Sequence, residues 1–170
     1  MERHSAGFEG EYALVNIIQA VMTNHVNQTH ALFTEYADSL GIDLGFQNFE
    51  AELENLPGEY RGSAGGLLLL ALDYEQPVGC VGLRKIDDGT CEMKRLYVRP
   101  PWTGQGIGKR LAITIIKEAK KFGYRFMRLD TLPTMGPAIS LYKSLGFYTI
   151  APYRFNPIPG AIYLEMDLRN

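Results

Sequence analysis

The chain has 170 residues, 46% hydrophobic and 21% charged. This balance excludes a disordered polypeptide and suits one domain burying about 70% of its unfolded surface. Two cysteines, Cys80 and Cys91, are too few for a disulfide framework and lack metal-ligand spacing, so buried reduced thiols are expected. Net charge is −2, with no Lys/Arg run interleaved with aromatics, which excludes nucleic acid as a partner.

In chain order, residues 1–10 read as a flexible N-terminal tail without a cationic leader, and residues 11–170 as a single domain. The apolar run Ala13–Met22 is broken by Asn16 and Gln19 and falls short of the roughly 20 residues a membrane span needs. A reducing, cytoplasmic setting follows as the default. Tyr12–Gln19 is expected as a first strand. Helices are expected over Asn24–Leu40, stopped by Gly41, and over Phe46–Leu56, ended by Pro57-Gly58. Leu67–Leu72, Val78–Leu83 and Cys91–Val98, separated by turn-forming stretches, predict an antiparallel meander. A helix over Gly106–Phe122 places Ile107, Leu111, Ile115, Ala119 and Phe122 on one stripe. Phe126–Thr131 is a strand, Pro137–Leu145 a helix closed by Gly146, and Phe147–Ile150 and Ala161–Leu168 are the last strands. The order β-α-α-β-β-β-α-β-α-β-β predicts an α/β fold, a mixed sheet with helices on its faces.

The chemistry concentrates in "TGQGIGKRL", residues 103–111, where three glycines in five residues precede an amphipathic helix. Glycine permits close backbone approach, and a helix N-terminus attracts anions. A Walker A loop fails, because only three residues separate Gly104 from Gly108 and Arg110 follows Lys109. A dinucleotide fingerprint fails too, since Lys109 occupies its third glycine position and the preceding strands form a meander.

The span Cys91–Phe147 resembles the GNAT superfamily of acyl-CoA-dependent N-acyltransferases. That family's Gln/Arg-x-x-Gly-x-Gly/Ala motif maps onto Thr103-Gly104-Gln105-Gly106-Ile107-Gly108. Its Ala-x-x-x-Tyr helix running into Leu-Gly-Phe appears as "AISLYKSLGF", with the strand "YRFMRLD" between the two elements. The resemblance implies a mostly antiparallel sheet and acetyl-CoA as cosubstrate, with no metal. Its pyrophosphate would lie on the amides of Gly104, Gln105, Gly106, Ile107, Gly108 and Lys109, where Lys109 and Arg110 add charge. It also implies that the fourth strand parts from the fifth, so that Leu96, Tyr97 and Val98 bond the pantetheine arm and help hold a tetrahedral oxyanion. Glu92 occupies the position of the family's glutamate base, and Tyr142 that of the general acid near the sulfur. Two residues depart from the pattern. Thr103 stands where the family has Gln or Arg, and Met135 stands near a common Asn.

Residues 1–92 hold 15 acidic and 4 basic side chains, and residues 93–170 hold 13 basic and 4 acidic. Glu35, Asp38, Asp43, Glu50, Glu52, Glu54 and Glu59 lie where the resemblance puts the acceptor, which suits a cationic amine. The other reading of those acids is the water-facing side of helices. Tyr153, Arg154 and Phe155 sit on a proline-stiffened loop, where they could line a pocket or pack a second copy in a homodimer; Arg154 could pair with a substrate carboxylate. The activity implied is transfer of an acetyl group from acetyl-CoA to a primary amine by direct attack. The alternative is a non-catalytic acyl-CoA-binding sensor or interaction module on the same fold.

Overall fold

The run Leu67–Ala71 has no polar alternation, which fits a strand buried on both faces. In the computed structural model, which describes residues 15–170, this run is the second strand of a seven-stranded sheet. The expected tail, and Tyr12 to Leu14 of the first strand, lie outside the described residues. The strands are β1 (Val15–Gln19), β2 (Leu67–Asp73), β3 (Gln76–Lys85), β4 (Thr90–Val98), β5 (Phe126–Thr131), β6 (Tyr148–Ile150) and β7 (Ile162–Asp167). The helices are α1 (Thr23–Leu40), α2 (Phe49–Glu54), α3 (Ile107–Phe122) and α4 (Gly136–Ser144). Strand order is β1-β2-β3-β4-β5-β7-β6, and every pair is antiparallel except β4 with β5.

Alternate residues of β2 feed two cores. Leu67, Leu69 and Ala71 pack with Leu111, Ile115 and Ala119 of α3 and with Tyr142 of α4. Leu68 and Leu70 pack with Leu32 and Phe33 of α1 and with Phe49 of α2. The sheet is thus sandwiched, with α1 and α2 on one face and α3 and α4 on the other.

Three local expectations change. Phe46–Leu56 is not one helix: Asn48 adopts a left-handed conformation (φ 54°), dividing a 3₁₀ turn at Gly45–Gln47 from α2. Asn tolerates that region because its short polar side chain bonds locally. The β2–β3 turn is tighter than expected, with Tyr74 at φ 55° and Pro77 taken into β3. Phe122 lies off the buried stripe of α3 at 41% exposure, and Ala112 and Ile116 fill that face instead. Both cysteines are free and buried, as expected. Burial pushes the Cys91 thiol up to about 12, which leaves it protonated and inert.

Candidate active site

The glycine loop meets the requirements of an anion cradle. Gly104 and Gly106 have φ of 78° and 79°, conformations closed to most side chains, and a Cβ on either would enter open space. Gly106 is the N-cap of α3 and has no side-chain cap, so the amides of the first turn keep their donors for a ligand. Thr103 turns its hydroxyl inward and donates to the Pro100 carbonyl at 2.8 Å, which supports the turn rather than a ligand. Lys109 is exposed beside the loop. Arg110 is not part of the cradle as expected: its guanidinium donates to the Val15 carbonyl at 2.8 Å and ties α3 to β1.

Strands β4 and β5 pair only over Thr90–Glu92 with Phe126–Arg128. Beyond Glu92 they diverge, with β4 held by β3 and β5 by β7. The β4 backbone carrying Leu96, Tyr97 and Val98 therefore borders the opening between the two strands. A bulge sharpens the divergence. Arg95 sits at φ 60°, and Gly82 faces Lys94 while Cys80 faces Tyr97, so Arg95 and Leu96 together oppose Val81. Lys94 and Arg95 consequently both turn to the face of α1 and α2. Lys94 Nζ lies 3.4 Å from Gln47, and Arg95 Nε donates to Glu52 at 3.0 Å.

At this opening a cavity of about 40 Å³ is lined by Lys94, Arg95, Leu96, Thr131, Met135 and Tyr142. Met135 thus lies beside Tyr142, at the start of α4. The Tyr142 ring packs edge-on against Phe147 at 5.7 Å. Burial raises the Tyr142 pKa, so its hydroxyl stays protonated through the neutral range. Gln47 also lines a second, wider cavity of about 670 Å³, with Asn48, Asn55, Arg84, Arg154 and Phe155 among its walls.

Between these cavities lies Glu92, with no exposed surface. Its carboxylate accepts from Arg84 Nε at 2.9 Å and from the Tyr153 hydroxyl at 2.7 Å. Arg154 also pairs with it, and Lys94 Nζ stands 3.8 Å away. Burial alone would raise the Glu92 pKa, but Lys94, Arg84, Arg154 and the Tyr153 bond together hold it below the ordinary value. Burial pulls Lys94 down to about 8, against the attraction of Glu92. Glu92 is therefore a fixed anion inside a ring of donors. Among the described residues no group of three His, Cys, Asp or Glu could hold a metal ion.

The family model for the Acetyltransferase (GNAT) family matches residues 29–147, the span that contains the loop, the bulge and Tyr142. The chain belongs to the GNAT family. It is 40% identical to an uncharacterised N-acetyltransferase of Schizosaccharomyces pombe over 91% of this chain and 95% of that one. In fold it is similar to a GNAT acetyltransferase from Staphylococcus aureus, with a TM-score of 0.75, 23% identity, and coverage of 91% of this chain and 99% of the other. It is also similar to the PaiA N-acetyltransferase of Thermoplasma acidophilum in complex with coenzyme A, with a TM-score of 0.70, 22% identity, and coverage of 90% and 98%.

Within this GNAT frame, the fold brings Glu92, Leu96 and Tyr142 close to one opening, while the loop from Thr103 to Lys109 is held at the start of α3. Sequence reasoning missed three members of the site. Arg84 and Lys94 share the Glu92 face of adjacent strands, a relation readable from alternation once the β3–β4 register is known. Gln47 reaches Lys94 across 47 residues and the loop residue Tyr153 reaches Glu92 across 61, contacts for which no local signal exists.

Proposed function

We propose that the chain transfers the acetyl group of acetyl-CoA to a primary amine by direct attack on the thioester, through a tetrahedral intermediate. The observation that carries this reading is the pairing of an uncapped, glycine-opened helix N-terminus with the parting of β4 from β5. One accommodates a pyrophosphate and the other an extended amide-bearing arm. The coenzyme A complex of the Thermoplasma relative supports the same cosubstrate. When bound, acetyl-CoA supplies the activated acyl group. Gly104 to Lys109 and the β4 edge at Leu96 to Val98 bind and orient it.

The attacking amine must be neutral. Here Glu92 does not take its proton directly, since its oxygens are engaged and no part of it is exposed. Lys94 lines the small cavity and, with its pKa near 8, is partly neutral at neutral pH. In this proposal Lys94 accepts the proton, and Glu92 stabilises the ammonium that forms, as a buried carboxylate does for a histidine base. Tyr142 in the same cavity donates to the departing sulfur. The acidic residues of the acceptor lobe do not set its charge. Glu35 is paired with Arg99, Glu52 with Arg95 and Glu59 with Arg84, while Asp38, Glu50 and Glu54 face water.

Mass spectrometry after incubation with acetyl-CoA and a panel of primary amines is expected to find an N-acetylated product. Tight acetyl-CoA binding with no acetylated product from any amine would favour the sensor instead.

A further inference from the structure

Two arginines, Arg84 and Arg154, line the wider cavity, beside Glu52 and Glu59. Arg84, Lys94 and Arg154 converge on the single buried carboxylate of Glu92. Glu52 is engaged by Arg95 and by the Tyr60 hydroxyl. Glu59 reaches Arg84, but from the rim, where its side chain is 72% exposed. The carboxylates are thus already engaged, while the Arg84 and Arg154 side chains stay 19% and 22% exposed and open to a ligand.

A second observation points the same way. Among the described residues, Arg154 Nε is a buried donor with no acceptor. Native proteins seldom leave such donors unmet, and a guanidinium donor is among the costlier ones to strand. Arg154 lines the wide cavity, with its guanidinium 5.2 Å from the Tyr153 ring centre, and Arg84 lines the same cavity. An arginine pair of this kind suits a carboxylate better than an ammonium group.

We infer that the acceptor is an amine that also carries a carboxylate, an amino acid or a close derivative, with its carboxylate on Arg154 and Arg84. This rests on the acetyltransferase reading above and narrows its substrate class. Gln47 lines both cavities, so a molecule anchored at the arginines has its amine a short way from Lys94, Leu96 and Tyr142. Asn48 and Asn55 add neutral hydrogen-bonding groups, and Phe155, 77% exposed, offers an apolar rim for a side chain. The cationic amines suggested by the acidic stretch Glu35–Glu59 would meet two guanidinium groups there.

The test is thiol release from acetyl-CoA with matched acceptor pairs, each an α-amino acid and its decarboxylated amine, such as tyrosine with tyramine and methionine with its amine. The wild-type enzyme is expected to show a KM at least about 10-fold lower for the acid of a pair, as charge-assisted bonds allow. Arg154→Leu is expected to move that ratio towards one. The wild-type comparison stands without the variant, should the variant fail to fold. Equal use of both members, or preference for the decarboxylated amine, overturns the inference while leaving the acetyltransferase reading intact. If no amine releases thiol, calorimetry with coenzyme A present decides the matter. Selective binding of the carboxylate-bearing member supports the arginine site, and equal or absent binding overturns it.

Discussion

Glu92 shows how one residue's surroundings decide its chemistry. Replacing it with glutamine keeps the shape but leaves Arg84, Lys94 and Arg154 facing a neutral group. Breaking a buried ion pair from one side costs about 3–5 kcal/mol, so Glu92→Gln is expected to lower the unfolding free energy by that much, read from denaturant titration. The pH dependence has a definite sign. The Glu92 pKa is lower folded than unfolded, so its stabilisation is complete above the ordinary glutamate value of 4.5 and is lost as pH falls through the lower folded value. The wild-type protein is expected to lose stability with acid in that window more steeply than Glu92→Gln. Lys94 titrates elsewhere. With its pKa drawn to about 8, kcat is expected to rise with pH through that value, and the rise is expected to vanish in Lys94→Met with the same acceptor. The carboxylate at position 92 was legible in the sequence from its place on the fourth strand. Its occupants were not, because Tyr153 and Arg154 arrive from a loop that only the folded sheet brings near.

Among the elements, the loop and α3 were the most legible, since glycine spacing and helical periodicity are both local signals. Their ligand role can be separated from their structural role at Gly108. A Cβ there would stand 3.7 Å from Val98, an ordinary contact, and an aspartate in the first helical turn favours the helix by about 0.3–1 kcal/mol. Gly108→Asp is therefore expected to keep or raise thermal stability while weakening acetyl-CoA binding by about 10-fold or more, read by calorimetry. Unchanged affinity would remove the loop from the cradle. The bulge at Arg95 was illegible: "CEMKRLYV" reads as an uninterrupted strand, and only the pairing with β3 exposes the extra residue. Yet that bulge turns both Lys94 and Arg95 towards the face of α1 and α2. The helix expected over Phe46–Leu56 failed at Asn48, where a left-handed backbone broke a run whose apolar spacing was otherwise helical.

Taken as a whole, the molecule converts a charge asymmetry along the chain into pairs across it. Acidic residues of the first half meet basic residues of β4 and just beyond it, through Glu52–Arg95 and Glu35–Arg99. The uneven halves were visible in the sequence, but their cancellation depends on α1 and α2 lying over β3 and β4, which charge counts cannot reveal. Arg84 and Arg154, on the wall of the wide cavity, join the same pairing through Glu59 and Glu92. Element order and the two-faced sheet were legible because β2 is an unbroken apolar run and α3 carries a strong helical periodicity. The divergence of β4 from β5 was expected from the family resemblance alone.

The most direct measurement is the steady-state rate of free-thiol release from acetyl-CoA with amine acceptors, for wild type and Tyr142→Phe side by side. Turnover on at least one primary amine is expected, falling by about 10²-fold or more in the variant with acetyl-CoA affinity nearly unchanged. Acetyl-CoA bound without thiol release on any amine would contradict the enzyme. A full-rate Tyr142→Phe would show that Tyr142 only packs against Phe147.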